Sequence, residues 1–307
     1  MQWREMTIGK KIAVGFGVVL VMLGLVGILS YTGVNSIVSN AEQVIDGNKL
    51  DGLLAQKEVD HLNWANKVNA LLTDDGVTTL DVEVDHRKCA CGKWLYGEGR
   101  QKAEAQVPSL APLLDKLEAP HKHLHESAKE IGQVFEQADL QLGNFLREKK
   151  TDHLAWAHQV KDVFVDNSVN EIKAEADPKQ CDLGKWMYSP AVSERKRADS
   201  EFAALWNDLE KPHSRLHESV HTIQQILDEK GHKAASTYYM ENTKPLAYKC
   251  LDRIDALLAW HDEKIEGMQA ANAVYAKQTV PNLETVQKIL NDIRKEAKQH
   301  IMTDVAM

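Results

Sequence analysis

The sequence predicts an all-α protein: one N-terminal transmembrane helix, then a tandem pair of helical modules, then a helical tail. Three observations predict it. Residues 12–30 read IAVGFGVVLVMLGLVGILS without a single charge, and about 20 apolar residues are enough to cross a bilayer as a helix. Beyond residue 34, glycine and proline are sparse, no strand alternation is sustained, and apolar residues fall three and four apart, as at Leu113, Leu114 and Leu117. Finally, the chain repeats itself: Asp60-His61-Leu62-Asn63-Trp64-Ala65 returns 92 residues later as Asp152-His153-Leu154-Ala155-Trp156-Ala157. Such a repeat has to be recognised before any other statement about the fold.

Arg4, Lys10 and Lys11 precede the apolar run, and the next basic residue after it is Lys49. The positive-inside rule then leaves the N-terminus in the cytoplasm and puts everything after residue 34 outside, in a single-pass protein of the inner (plasma) membrane. A cleaved signal peptide is the alternative. The run is longer than a signal h-region, however, and Ile28-Leu29-Ser30-Tyr31-Thr32-Gly33 is a poor small-residue cleavage site, so an uncleaved anchor is expected. No second run of spanning length follows.

A long first helix is predicted over about 35–74, ended by Asp74-Asp75-Gly76. Cys89 to Tyr96 reads as a short helix stopped by Gly97 and Gly99. Pro108 and Pro112 shape the approach to the next helix, Pro120 suits a first helical turn, and that helix should run to about Glu136. A break near Gln137 to Gly143 opens the second copy. These boundaries give a cytoplasmic N-terminus and span over 1–34, a first module over 35–137, a second over 138–230, and a helical extension over 231–307. Within the extension, Leu246-Ala247-Tyr248 resembles Leu154-Ala155-Trp156, as a third, degenerate start would. A smaller echo also lies there: Tyr239, Thr243 and Pro245 recur 36 residues on as Tyr275, Thr279 and Pro281.

Composition narrows the function. A net charge of −8 argues against nucleic acid, which needs a basic face. Four cysteines in 307 residues are too few for a disulfide framework. Two of them, Cys89 and Cys181, fall at equivalent repeat positions, as metal ligands would.

The repeat also sorts the thirteen histidines. Pro120-His121-Lys122-His123-Leu124-His125 returns as Pro212-His213-Ser214-Arg215-Leu216-His217, and Cys89-Ala90-Cys91-Gly92-Lys93-Trp94 as Cys181-Asp182-Leu183-Gly184-Lys185-Trp186. Histidines four apart share one helix face, whereas His123 lies on the far side and faces Arg215. Only His61 with His153, Cys89 with Cys181, His121 with His213 and His125 with His217 persist at the offset. His86 faces Pro178, His158 faces Asn66 and His221 faces Lys129. Each copy thus offers three imidazoles and one thiolate, a complete tetrahedral set suited to zinc, two ions per chain. Four protein ligands leave no open position for a reacting water, so no enzymatic activity and no catalytic residue are expected. Trp64, Trp156, Trp94 and Trp186 suit an apolar surround or simple core filling. Asp85 and Asp177 read as loop acids, and Gly92 and Gly184 as points where the Cys segment approaches neighbouring helices.

The text H-x-x-W, C-x-x-G-K-W-[LM]-Y and P-H-x-x-L-H closely resembles the chemoreceptor zinc-binding (CZB) domain family, over 60–125 and 152–217. The resemblance implies antiparallel helical bundles holding zinc through His61, Cys89, His121 and His125, and through His153, Cys181, His213 and His217. At the level of the family it also implies a homodimer. The start GKKIAVGFG is similar to the N-terminus of a methyl-accepting chemotaxis protein, and the tail to the helix leading to such a receptor's second span. Many domains of this family are cytoplasmic and attached to output modules, whereas this topology points outside and the chain shows no HAMP-like linker, signalling hairpin or cyclase. The expected function is a membrane-anchored, chemoreceptor-type sensor of zinc or oxidants, working with chemotaxis signalling proteins if the receptor continues. A zinc-storage or structural membrane protein is the alternative. A ferritin-like di-iron enzyme is disfavoured, since Lys150 stands where Glu58-x-x-His61 needs a second carboxylate.

Overall fold

The computed structural model describes residues 5–306, with side chains from 5 to 301; Arg4 of the charge argument and Met307 lie outside the described residues. Among these residues the chain is all helix and turn, with no strand. The first helix, α1 (Ile8–Thr73), is 66 residues long. Its apolar part is a candidate membrane span by length and composition, and none of that stretch is covered by protein. The other end of the same helix is amphipathic, burying Leu54, Trp64, Val68 and Leu71. Thr73 ends it, and the Gly76 N–H is taken by the Asp74 carboxylate in the turn that follows.

The chain divides into two compact units, 1–133 with 273–307, and 134–272. Each follows one plan. In the first, α1 is followed by a loop, a short helix α2 (Ala90–Leu95), α3 (Glu98–Gln106), a 3₁₀ turn at Pro108–Leu110 and a long α4 (Ala111–Val134). In the second, α5 (Leu142–Val165) leads to α6 (Asp182–Met187), α7 (Pro190–Ala198) and a long α8 (Ser200–Lys230). Asp199 caps α8 by accepting from the Glu201 and Phe202 N–H groups. The second unit's core includes Leu146, Val160, Met187, Phe202, Leu209 and Ile223.

Pro120 does not open a helix. It lies inside α4, as Pro212 lies inside α8. The start moved upstream because Leu114 and Leu117 bury fully and extend the apolar face back to Ala111. Each proline lacks the N–H that would bond the fourth residue back, so the ladder has a gap just before the first histidine of the pair.

The extension continues as α9 (His232–Tyr238), a π-helical turn at Tyr239–Thr243, α10 (Lys244–Val274), a second π turn at Tyr275–Thr279, and α11 (Val280–Ala306). The echo of Tyr, Thr and Pro thus falls on two identical distortions. In each, the N–H after the threonine bonds five residues back, Lys244 to Tyr239 and Val280 to Tyr275. Pro245 and Pro281 come next and cannot donate, which favours the wide turn. Burial repeats at the same 36-residue spacing: Ala235 with Ala271, Cys250 with Val286, Ile254 with Leu290 and Leu257 with Ile293 are all fully buried. The extension therefore supplies one covering helix to each unit, the earlier stretch to the second unit and the later to the first. In the first unit α11 runs antiparallel to α1, with Arg294 paired to Asp51 and Ile301 packed against Gly47.

Candidate metal centres

The structure brings the predicted donors together as two separate groups. The ligand atoms of His61, Cys89, His121 and His125 lie within 4.8 Å of one another, as do those of His153, Cys181, His213 and His217. Helical spacing explains the histidines. His61 lies three residues before Trp64 on the buried face of α1, and the pair on α4 is one turn apart. The helix-free loop after α1 then carries Cys89 back to them as the N-cap of α2. All six imidazoles are at most 4% exposed. His123 and Arg215 face outward, as the repeat predicts.

Which ring nitrogen is free is set by the backbone. His61 Nδ1 bonds the Lys57 carbonyl at 2.7 Å, and His125 Nδ1 bonds that of Glu83 at 2.8 Å. In the second unit, Lys149 holds His153 at 2.7 Å and Glu175 holds His217 at 2.7 Å. With Nδ1 donating, Nε2 keeps its lone pair and points into the cluster, where His61 Nε2 and His125 Nε2 are buried without a partner. The third imidazole differs. His121 Nε2 and His213 Nε2 each lie 3.2 Å from the cysteine sulfur, and their Nδ1 atoms have no hydrogen bond.

These contacts order the proton affinities of the metal-free sites. Burial pushes His121 and His213 down to about 2. Burial also lowers His125 and His217, but the carbonyl on Nδ1 opposes it, so they stop at about 4. Burial lowers His61 and His153 as well, and raises the Cys89 and Cys181 thiols. Neutral imidazoles with free Nε2 atoms are the form a metal requires. Tetrahedral zinc bonds of about 2.0–2.3 Å set donors roughly 3.3–3.8 Å apart. The 3.2 Å sulfur–nitrogen pairs and the 3.4 Å separation of His153 and His217 Nε2 are close to that spacing. The donor chemistry, the orphaned nitrogens and the spacing all fit zinc.

Gly92 and Gly184 serve a closer contact than the sequence suggests. A methyl group on either would overlap the carbonyl oxygen of His86 or Pro178, in the loop just before the cysteine. That fold of the loop lets the Gly92 N–H donate to Cys89 Sγ at 3.1 Å, and Gly184 to Cys181 at 3.2 Å. Asp85 and Asp177 pin the same loop by accepting from the Arg87 and Lys179 N–H groups. Trp64 and Trp156 do more than fill space: each indole N–H donates to the carbonyl that also holds a ligand histidine, Glu83 or Glu175. The four holding carbonyls belong to residues that sequence reasoning passed over. Their one signal was identity at the 92-residue offset, Lys57 with Lys149 and Glu83 with Glu175.

Two segments, residues 61–131 and 153–224, match the family model of the chemoreceptor zinc-binding domain. No curated protein and no solved structure matches the chain.

Proposed function

The chain carries two tandem chemoreceptor zinc-binding domains, and we propose that it is a membrane-anchored sensory protein in which they respond to zinc or to oxidants. The observation that carries this reading is the helix shared by span and site: α1 holds the apolar run and, further along, His61. A change at the first site is thereby made on a helix that leads to the membrane. α11 packs back along α1 toward its apolar end, as a helix returning to a second span would. The charge pattern before Lys49 favours a single pass with the modules outside the cytoplasm, in the inner membrane. Homodimers and chemotaxis proteins are the partners this class of receptor implies. No catalytic step is assigned, because all four positions of each centre are filled by side chains.

Bound zinc supplies a Lewis-acidic centre that keeps the cysteine sulfur as thiolate. The residues do the rest. The Lys57 and Glu83 carbonyls orient two imidazoles, and the Gly92 N–H and the α2 N-terminus hold the sulfur. A peroxide can transfer one oxygen to that thiolate, giving a sulfenic acid and hydroxide. The oxidised sulfur is a poorer donor, so the loop from Glu83 to Tyr96 is freed from α1 and α4.

The test uses the full chain in detergent. Elemental analysis should give two zinc ions per chain, and His121→Ala one. Hydrogen exchange with and without zinc should then differ at residues 47–58 and 290–301, along the α1–α11 contact. Two bound ions with exchange changes confined to the ligand loops would favour storage over sensing.

A further inference from the structure

The second unit carries a basic groove that the zinc architecture does not need. Lys211 and Arg215 stand one turn apart on α8, and Lys249 and Arg253 one turn apart on α10. All four line a cavity of about 230 Å³ whose floor includes Pro212 and whose wall holds a single carboxylate, Asp208. Among the described residues none of the four cations forms an ion pair or hydrogen bond, with Asp208 or with any other group. Arg253 Nε is buried with no partner at all. Like charges four apart on a helix repel, and here two such pairs converge on a cavity with one carboxylate, Asp208, against four cations. A buried guanidinium nitrogen left unsatisfied adds a further penalty. The larger cavity that continues past Arg215 and Lys249 is balanced by Glu218 and Glu241, so the unrelieved charge lies at the Arg253 end.

The first unit shows that this cluster is not a requirement of the fold. At the 92-residue offset Lys211 and Arg215 correspond to Ala119 and His123. At the 36-residue offset Lys249 and Arg253 correspond to Thr285 and Ile289. The same scaffold is built there without a single cation at these positions.

We infer that the α8–α10 groove of the second unit is a binding site for a small multivalent oxyanion, a carboxylate or phosphate. Arg253 and Arg215 act as forked donors, and Lys211 and Lys249 as point charges. The size of the cavity suits an anion of a few to about a dozen heavy atoms. Because Pro212 and Arg215 flank His213 on α8, an occupant would sit behind the helix that carries two donors of the second centre.

The experiment is isothermal titration of the full, zinc-loaded chain in detergent at low ionic strength, with inorganic phosphate and with citrate as separate probes. Saturable binding of one ion per chain is expected for at least one probe, and which one binds separates phosphate from carboxylate chemistry. Arg253→Gln should weaken it at least about tenfold, as loss of a charged hydrogen bond does, while two zinc ions per chain remain. Lys288→Gln, an exposed cation of the first unit, should change it less than about twofold. The inference fails if neither probe binds saturably, or if Lys288→Gln weakens binding as much as Arg253→Gln.

Discussion

The carbonyl oxygen of Glu83 accepts a hydrogen bond from His125 Nδ1 at 2.8 Å, and the second unit repeats the bond between Glu175 and His217 at 2.7 Å. In both, a tryptophan indole N–H shares the oxygen. That second donor fixes where the carbonyl can lie, and so where the imidazole can point. Partners of this outer kind typically carry 10–100-fold in metal affinity. Trp64→Phe keeps an aromatic ring but removes the donor together with the pyrrole half of the indole, so zinc affinity at the first site should fall toward the lower end, about tenfold, with the second site unchanged. Chelator competition read site by site checks this; equal affinities before and after would reduce the tryptophan to core filling.

A methyl group at position 92 meets the His86 carbonyl. Backbone cannot swing aside as a side-chain tip can, so Gly92→Ala must open the loop that presents Cys89. Zinc affinity at the first site should drop by at least about tenfold, and Gly184→Ala should do the same at the second. Retention of full affinity in both would mean the loop has slack that its contacts do not suggest.

Much of this was legible because the chain is duplicated. A single His-x-x-x-His is common, but eight donors holding their identity across a 92-residue offset separate ligands from solvated histidines such as His158 and His221. Local rules did less well where tertiary packing decides. Pro120 reads as a helix start, yet the burial of Leu114 and Leu117 extends α4 upstream of it. The holding carbonyls of Lys57 and Glu83 are backbone atoms, and side-chain text is blind to them. The 36-residue echo was visible as letters, but that it marks two π turns facing the buried Ser127 and Ser219 depends on long-range contacts.

The histidines set a pH dependence. In the metal-free protein, burial holds His125 and His217 at about 4 and His121 and His213 at about 2, whereas an unfolded histidine titrates near 6.5. Below about pH 6.5 the unfolded chain therefore binds more protons than the folded one, and stability falls as pH falls. Each histidine adds about 1.4 kcal/mol per pH unit between its two values, and the loss continues down through the folded values. Zinc binding runs the same way, since protons compete for the same nitrogens. Denaturant midpoints of the chelator-treated protein should decline steeply between pH 7 and 5; a flat profile would contradict buried, neutral imidazoles.

Thr279 and Ser127 hydroxyl oxygens lie 2.8 Å apart, and Thr243 donates to Ser219 at 3.1 Å. Each serine spends its own hydrogen on a carbonyl, Leu124 or Leu216, so the threonine must be the donor. All four hydroxyls are buried, and each pair fastens a π turn to the helix two residues past a ligand histidine. Thr279→Val should strand Ser127 as an acceptor and destabilise the protein by about 1–3 kcal/mol. Thr279→Ser, which keeps the hydroxyl, should recover most of that. If valine and serine behave alike in thermal unfolding, the methyl packing matters and the hydrogen bond does not.

The cysteines divide by environment. Burial pushes Cys91 and Cys250 up to about 12, and neither belongs to a four-donor group. Cys89 and Cys181 are also raised by burial when no metal is bound, although the Gly92 and Gly184 N–H groups oppose it. Their reactivity must then come from zinc, which holds the sulfur as thiolate, the nucleophilic form. Access exists at the second site, where a cavity of about 270 Å³ is lined by Cys181, His153 and His217. Mild peroxide should therefore release zinc from the loaded protein, and Cys181→Ser should abolish peroxide-driven release from the second site alone. Cys91→Ser and Cys250→Ser should release zinc as the unaltered chain does. The decisive variant carries serine at both 89 and 181. If it still binds zinc and loses it to peroxide at the original rate, sulfur oxidation is not the switch, and the centres respond to zinc itself.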